Sequence, residues 1–358
     1  LNKRIKFIMA YTTIPKSTAQ FAPKLYVGNS NAGSPNTQSI TGLNFQPDFT
    51  WCKNRDAGSN HALFDAVRGV TKLLNSNTTT VEATVADTLT AFDTNGFTLG
   101  TDVNQGVVNN INQNFVSWNW KANGAGSTNT DGSIDSTVSV NTASGFSIVK
   151  VLKSSSAVAT IGHGLGVTPK MFIVKSIDAG NNWQVYHEAT GATKALYLNG
   201  NGVPVTTSGF FNNTAPTSTV LTLGSDGAFT GNTMIIYCFA DVQGFSKMGS
   251  YVGTGNVDGN FVYLGFKPAF VMIKAAGTEN WVMDDSKRLG YNVDNRFLVP
   301  NQNYNESGSV SNIDLLSNGF KLRSASGYYN SGNSYTYIYA AFAEEPLVST
   351  NGIPATAR

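Results

Sequence analysis

Charged side chains are scarce in this chain of 358 residues, at 13% of the sequence, about half the share usual in soluble proteins. Lys and Arg are scattered and the net charge is only +2, so the chain lacks the clustered positive charge that phosphate binding requires. No apolar run approaches the length of a membrane-spanning helix. We therefore expect neither nucleic acid binding nor membrane insertion.

Residue types that carry chemistry are also few, with two cysteines and three histidines. Cys52 and Cys238 lie in apolar, strand-like runs, and we expect both to be buried free thiols. His61, His163 and His187 do not pair with one another or with a cysteine at zinc-ligand spacing. Neither a nucleophile motif nor a calcium-loop pattern is present. We predict no catalytic residues, no metal site, no cofactor and no enzymatic activity.

Internal repetition is the most informative feature of the sequence. Three runs begin at a proline, continue through mostly apolar residues and reach a lysine six positions later: Pro47 to Lys53, Pro169 to Lys175, and Pro268 to Lys274. Each is followed by Asn60-His61, Asn182-Trp183 or Asn280-Trp281 at similar spacing. The prolines are 122 and 99 residues apart, which exceeds the period of solenoid repeats. Each repeat is therefore predicted to be a small domain of its own.

These repeats divide the chain into six parts. We predict an N-terminal arm at 1–24, a first unit at 25–121, a Gly/Ser/Asn-rich linker at 122–143, a second unit at 144–248, a third unit at 249–345 and a C-terminal tail at 346–358. Within the arm, Met9 is typical of a natural start, so residues 1–8 are expected to be an upstream extension.

The units are predicted to consist of β-strands. Continuous apolar runs such as residues 171–174 suit the central strands of a two-layer sandwich, and Asn-Gly, Ser-Gly and Asp-Gly pairs punctuate them as hairpin turns require. Residues 62–74 have helical spacing, but the related residues 186–198 carry Gly191 at their middle, so both are predicted to be strand–turn–strand. The predicted fold class is all-β, with three tandem antiparallel β-sandwich units of jelly-roll or lectin-like type.

Aromatic residues in polar loops are the candidate binding residues. Trp183 and Trp281 follow Gly/Asn-rich loop residues, and Tyr328 and Tyr329 lie in a predicted hairpin tip. Sugar-binding surfaces are commonly built from such rings flanked by amides. The alternative is that these rings pack against neighbouring units or subunits, because Tyr and Trp serve interfaces for the same amphipathic reason.

Four residues after His61, Trp183 and Trp281 the repeats place Asp65, His187 and Asp285, with Glu188 and Asp284 beside the last two. Paired carboxylates can hydrolyse glycosidic bonds when held roughly 5–10 Å apart. Adjacent residues of a strand point to opposite faces, so Asp284 and Asp285 do not form such a pair. We expect these positions to be polar and to face outward.

Six short motifs extend over nearly the whole chain: residues 45–49 (FQPDF), 53–55 (KNR), 64–69 (FDAVRG), 118–122 (WNWKA), 163–166 (HGLG) with 169–170 (PK), and 343–346 (AEEP). In combination they resemble a family of marine bacteriophage virion proteins, found in cyanophages and pelagiphages. Members are described as tail fibre-like or structural, and some are grouped with lectin-like β-sandwiches. Residues 1–8 precede the usual start of the family.

The resemblance implies a virion structural protein, a component of a tail fibre or appendage that contacts the host surface. It brings no catalytic residues. Fibres grow by symmetric association, so we expect a homo-oligomer, specifically a trimer, with residues 1–24 docking onto another virion protein and a host-surface glycan as the ligand. Two alternatives are a capsid decoration or head fibre protein, and a glycan depolymerase.

Overall fold

The computed structural model describes residues 11–14, 16–308, 312–332 and 335–348. Strands β1 to β9 are Phe21–Val27, Gln38–Thr41, Phe49–Asn54, Ala62–Asp65, Lys72–Leu73, Ala83–Thr84, Leu89–Asp93, Gly96–Leu99 and Asn114–Trp120. Strands β10 to β19 are Ser127–Asn129, Ser136–Asn141, Phe146–Lys153, Ala159–Gly162, Met171–Ser176, Gln184–His187, Lys194–Tyr197, Val205–Thr206, Val220–Leu223 and Asn232–Phe239. Strands β20 to β26 are Ser246–Val252, Phe261–Tyr263, Phe266–Ala275, Val282–Asp285, Ile313–Leu316, Gly319–Leu322 and Thr336–Pro346.

Helix is almost absent from these residues. A 3-10 turn spans Ser17–Ala19, and a single-turn helix, α1, spans Ser208–Phe211. No helix in the described ranges is long and apolar enough to cross a membrane. The prediction of an all-β fold built from antiparallel sheets is confirmed.

One strand order occurs three times. It is β1-β9-β3-β4 in the first stretch of the chain, β12-β19-β14-β15 in the second and β20-β26-β22-β23 in the third. Each of these larger sheets is accompanied by a smaller one, β2-β8-β7, β13-β18 or β21-β25-β24. The strands within them pair antiparallel. We call the stretches β1–β9, β10–β19 and β20–β26 the first, second and third segments.

The strand after each proline is buried on both faces. In β14, Met171 and Ile173 belong to a central hydrophobic cluster, whereas Phe172 and Val174 belong to a cluster between the two sheets of the second segment. Strand β3 divides its side chains in the same way between the central cluster and the first segment's own cluster. Because neither face meets water, these strands show a continuous apolar run rather than alternation.

The central cluster joins all three segments. Phe49 of the first stacks on Tyr237 of the second with ring centroids 4.3 Å apart. Trp120 of the first lies 5.5 Å from Phe342 of the third, and Phe342 lies 5.6 Å from Phe239 of the second. The rings surround a small apolar cavity of about 20 Å³. The three segments are therefore held together by one shared core.

Residues 122–143, predicted to be a linker, differ from that expectation. They contain β10 and β11, which extend the second segment's larger sheet beyond β12. Val138 supplies the physical reason, because its side chain is buried in the cluster of that segment. The Gly- and Asp-rich residues 130–135 form the turn between the two strands.

The described part of the predicted arm, residues 11–14 and 16–24, packs on the same chain. Tyr11 Oη donates a hydrogen bond of 2.8 Å to the Gly265 carbonyl, and Ile14 is buried in the central cluster. Residues from Phe21 onward belong to β1. The predicted extension at 1–8 lies outside the described residues, as does the tail beyond residue 348.

The strand–turn–strand prediction is confirmed in both places. Strands β4 and β5 cover the first, and β15 and β16 the second. Gly69 and Gly191 lie in the intervening turns with φ values of 93° and 72°, a backbone region that favours glycine.

The Pro–Lys runs align with strands in all three segments. Strands β3 and β14 begin two residues after Pro47 and Pro169, whereas Pro268 lies inside β22, at an irregularity in its pairing with β26. Proline cannot donate to the ladder, and such irregular positions tolerate it. Lys53, Lys175 and Lys274 are each the last residue but one of their strand.

Replacing Phe49 with Ala tests the shared core. We expect a loss of about 3–5 kcal/mol in the free energy of unfolding, because rings of two segments lose a common neighbour. Denaturant unfolding followed by fluorescence and circular dichroism should show one transition for the wild type. As a matched control, Phe261→Ala removes a ring that is 45% exposed and should change stability by less than about 0.5 kcal/mol. Separate transitions for the segments, or equal effects of the two variants, would contradict a shared core.

Candidate functional site

Three of the four predicted binding aromatics are inaccessible. Trp183 and Tyr329 are 0% exposed and Trp281 is 1% exposed. Only Tyr328 is half-buried and retains an accessible surface. The expectation that all four rings offer a face to a ligand is therefore corrected for Trp183, Trp281 and Tyr329.

The buried tryptophans connect segments. Trp183 Nε1 donates to the carbonyls of Asn75 and Thr78 in the first segment, at 3.1 and 3.2 Å. Trp281 Nε1 donates to the Tyr197 carbonyl in the second segment at 2.9 Å. Burial of an indole requires a partner for its N–H, and the neighbouring segment supplies it. This arrangement matches the alternative that the rings pack against neighbouring units.

The first segment has a histidine at the corresponding position. His61 Nε2 lies 3.1 Å from the Val299 carbonyl of the third segment, and its Nδ1 accepts from Trp51 Nε1 at 2.9 Å. The imidazole is therefore neutral, with its proton on Nε2 directed at the carbonyl. Together with the two tryptophans, His61 completes a closed ring of contacts from first to third, second to first and third to second segment.

The lysines of the three Pro–Lys runs follow the same ring. Each ammonium donates to the carbonyl of the last residue of its own strand, to one carbonyl in the loop that follows and to one carbonyl of another segment. The intersegment acceptors are Asn303 for Lys53, Thr79 for Lys175 and Asn201 for Lys274, at 3.5, 3.3 and 3.4 Å. Burial lowers the pKa of Lys53 to about 7 and those of Lys175 and Lys274 to about 8. The carbonyl acceptors favour the protonated form, so these lysines bind loops rather than a ligand.

A pair of asparagines fixes each joint, and sequence analysis did not identify the second member of the pair. The backbone N–H of His61, Trp183 and Trp281 donates to Oδ1 of Asn77, Asn199 and Asn301, respectively. The same three amides donate to Asn60, Asn182 and Asn280. The sequence pattern that could have identified it is the asparagine that recurs 16 to 20 residues after His61, Trp183 and Trp281.

The acidic residues expected to face outward are buried. Arg68 Nε and Arg288 Nε lie 2.5 Å from the carboxylates of Asp65 and Asp285. Tyr237 of the second segment donates to Asp65, and Trp118 of the first donates to Asp285. The sequence analysis did not predict this burial, because it did not consider the arginine three residues after each aspartate. A buried carboxylate is stable when a neighbouring guanidinium compensates its charge.

The neighbouring Asp284 has different partners from Asp285. Its two carboxyl oxygens share one bifurcated hydrogen bond from Tyr329 Oη, at 3.1 Å each, and burial together with the charge of Asp294 raises its pKa well above the usual value. Burial would also raise the pKa of Asp285, but the Arg288 guanidinium lowers it below the usual range. The two adjacent carboxyl groups thus lie in separate environments on opposite faces of β23.

An open pocket of about 340 Å³ lies beside Tyr328 in the third segment. Its aromatic and apolar lining is formed by Phe297, Val299, Tyr304, Tyr328 and Tyr329. The remaining lining residues are Asn305, Ser307, Asn312 and Ser326. Tyr304 is 54% exposed and stands at the mouth of the pocket. All of these side chains are uncharged at neutral pH, so the pocket combines aromatic surface with neutral polar groups.

The side chains of Tyr328 and Asn312, which both line this pocket, differ in their contacts. The Tyr328 ring is held edge-on by Phe297, with centroids 5.9 Å apart, and its hydroxyl is 3.4 Å from Asn280 Nδ2. Asn312 is 0% exposed, and neither its side-chain oxygen nor its nitrogen has a hydrogen-bond partner among the described residues. Buried amides are nearly always paired, so this amide is unusual, but its complete burial keeps it out of reach from the pocket.

The described residues contain no group of three or more His, Cys, Asp or Glu side chains that could hold a metal ion. Cys52 and Cys238 are free and buried, as predicted, and burial raises the pKa of each thiol to about 12.

Residues 16–346 match the protein family described as "Domain of unknown function (DUF7483)", so the chain belongs to that family. The sequence matches no curated protein.

The buried histidines predict a loss of stability in acid. His187 accepts from the Ala189 N–H at Nδ1 and contacts the Tyr339 carbonyl through Nε2, and burial lowers its pKa to about 4. The unfolded chain takes up this proton near pH 6.5, so stability present above that pH is lost as the pH falls toward 4. For His187 alone we expect a loss of roughly 2 kcal/mol between pH 7 and 5.

Urea unfolding of the wild type and of His187→Gln at pH 7 and 5 measures this contribution. The difference between the two pH values should be smaller in the variant by that amount. Burial raises the pKa of Asp102 to about 6, which acts in the opposite sense, but equally in both proteins. Identical pH dependence of the two proteins would show that His187 is not kept neutral by the fold.

Proposed function

We propose that this chain is a phage virion structural protein, a component of a tail fibre or related appendage that contacts the host surface and resides in the virion. The observation that carries the proposal is the neutral, aromatic pocket at Tyr304 and Tyr328, presented by loops of a rigid all-β scaffold. A stiff scaffold can vary its loops without unfolding. The resemblance of the sequence to marine phage tail fibre-like proteins supports the same conclusion.

We also propose that the three segments are three units of one repeated β-sandwich of lectin-like type. The support is the threefold recurrence of strand order, of the buried lysine and of the asparagine pair. The exposed pocket at Tyr328 belongs to one of them. The buried contacts recur in all three segments, whereas the pocket at Tyr328 lies in the third. This difference fits a protein with a repeated structural scaffold and a binding site in one segment.

Two other functions would use the same fold. A capsid decoration or head fibre protein needs stable units but no receptor pocket, and the open pocket beside the exposed ring of Tyr304 favours the host-contact proposal over it. A glycan depolymerase needs paired carboxylates in a cleft. Asp65, Asp284 and Asp285 instead serve buried contacts with arginine or tyrosine, so we propose a protein without enzymatic activity and without a cofactor. Fitting the fold into a density map of the whole particle distinguishes tail from capsid.

Adsorption of particles to host cells tests recognition through Tyr328. Replacing Tyr328 with Ala should lower adsorption, because each lost aromatic contact is worth about 1 kcal/mol, or about fivefold in affinity, and copies act together. Tyr291→Ala is the matched control, since this tyrosine of the same segment is 63% exposed and does not line the pocket. Intact particles of the Tyr328 variant that adsorb normally would place recognition elsewhere.

Self-association is part of the proposal. Weakly charged surfaces rich in Asn, Ser and Thr favour contact between chains, and fibres assemble symmetrically. We expect a homotrimer that sediments at three times the chain mass of 38.1 kDa, with the part of the arm before Ile14 joining another virion protein, because Ile14 and Phe21 are buried in this chain's own core. Analytical ultracentrifugation at several concentrations measures this, and a monomer throughout would contradict it.

A further inference from the structure

We propose that the groove between the first and third segments binds an acidic sugar, and that Lys24 and Lys287, one from each segment, hold its carboxylate. The groove has a volume of about 430 Å³ and is lined by residues 18, 22–25 and 42–44 and, from the third segment, by Lys287. It shares no lining residue with the pocket at Tyr328. The inference therefore goes beyond the proposed function and does not depend on it.

Lys24 reaches this groove from β1, an edge strand of its sheet. Its ammonium lies against Gly42, where an added Cβ would be 3.3 Å from Lys24 Nζ. Gly42 has a φ of 87°, so glycine suits both the turn and the approach of the ammonium. Lys24 is only half-buried, and among the described residues its Nζ has neither a hydrogen bond nor an ion pair. This ammonium is therefore available to a ligand.

Lys287 supplies the second charge from the turn after β23. Its side chain is 50% exposed, and its Nζ lies 3.8 Å from Glu344 Oε1. Glu344 is shared with Lys267, whose Nζ lies 3.8 Å from Oε2. One carboxylate thus faces two ammonium groups, and none of the residues that line the groove is acidic. An excess of positive charge remains at the groove.

Comparison with the other segments shows that the repeated scaffold does not require Lys24. Lys24 pairs through Ser117 with Cys52, the residue before the lysine of its Pro–Lys run. The same position of the ladder holds Val149 in the second segment and Gly249 in the third. A charge at this position is therefore specific to the first segment.

Lys287 also departs from the repeat. Its N–H donates to the carboxylate of Asp285, two residues before it. Val67 and Ala189 occupy this place in the first and second segments, since the N–H of each also donates to the side chain two residues before it. Two independent departures from the repeat thus bring lysine into one groove, which indicates a ligand with negative charge.

The corresponding groove between the second and first segments provides the contrast. It has a volume of about 460 Å³ and is lined by residues 150–152 of β12, the strand that corresponds to β1, and by Val67 in the place of Lys287. Its lining contains one lysine, Lys150, and one acid, Asp135, so the two charges cancel. Of these two grooves, only the one at Lys24 has an uncompensated positive charge.

The rest of the groove favours a sugar over a peptide or a phosphate. An extended acidic peptide would bind by adding a strand to β1, but Pro23 has no N–H to offer to such a strand. A phosphate gains most from the bidentate fork of an arginine, and the lining contains none. The carboxylate of a sugar needs only point charges. Asn44, whose exposed side chain has no hydrogen bond among the described residues, can bind the ring hydroxyl groups.

Ligand-observed NMR on the purified full chain tests the role of charge with a matched pair of probes. Methyl glucuronide carries a carboxylate where methyl glucoside carries a hydroxymethyl group, so the glucoside should bind at least about fivefold more weakly. N-acetylglutamate and inorganic phosphate represent acidic peptides and phosphates, and both should also bind more weakly than the glucuronide. Added salt should weaken glucuronide binding, because it screens exposed charges.

Variants assign the binding to the two lysines. Lys24→Gln and Lys287→Gln should each weaken glucuronide binding about fivefold. Asn44→Gly, which suits the φ of 65° at this position, should weaken it through the loss of hydroxyl contacts. Lys150→Gln makes the same charge change in the corresponding groove and should leave binding unchanged, as should Tyr328→Ala. Since neither lysine of the groove is buried, Tm should stay within about 2 °C of the wild type.

Three results would overturn the inference: folded wild-type protein binds no glucuronide, one of the other probes binds as tightly as the glucuronide, or the Lys150 variant loses as much affinity as the Lys24 variant. Each of them leaves the host-contact proposal unaffected, because that proposal rests on the pocket at Tyr328 and is measured by adsorption of particles. Normal adsorption of the Tyr328 variant would conversely contradict the host-contact proposal and leave the acidic-sugar site standing.

Discussion

Burial of both faces of β3, β14 and β22 is the constraint on which the rest of the structure depends. Each of these strands must cover its own small sheet on one side and the central aromatic cluster on the other. Neither face then meets water, and a polar side chain there needs a partner within the protein, as Thr50 has in Asn119. The polar residue at its end, a lysine in all three, must find partners within the protein. The loops that supply these partners are therefore needed for the stability of the core.

A ring of polar contacts follows from this arrangement. One carbonyl acceptor of each lysine ammonium group lies in a different segment, and the same parts of that segment receive His61, Trp183 or Trp281. Each segment thus donates to a neighbour: the first to the third, the third to the second and the second to the first. Hydrogen bonds to charged groups contribute more than neutral ones, about 1.5–3 kcal/mol each, so separating one segment would expose apolar rings and leave buried polar groups without partners at the same time.

The contacts between segments determine which side chains remain accessible to a ligand. Several residues of the types that carry catalysis or binding instead make contacts between segments: His61, His187, Asp65, Asp285, Trp118, Trp183 and Trp281. The loop of the third segment that receives His61 and Lys53 of the first segment also carries Tyr304, whose ring is exposed beside the open pocket. A joint on one side of this loop thus leaves an aromatic surface accessible on the other.

The sequence by itself determined the strands. The Pro–Lys recurrence identified β3, β14 and β22 and their lysines. The apolar pattern and the turn glycines Gly69 and Gly191 identified the two strand–turn–strand stretches. Such features depend on residues close together in the chain. Only the tertiary structure decided which aromatics are accessible. Trp183 and Trp281 follow polar loop residues, as exposed rings do, yet their indole partners are carbonyls some 84 to 108 residues away. Likewise, the isolation of Asn312 becomes visible only once β24 and the loop before Tyr328 are brought together. Contacts between distant parts of the chain leave no local pattern, and it is these contacts that separate a buried joint from a binding site.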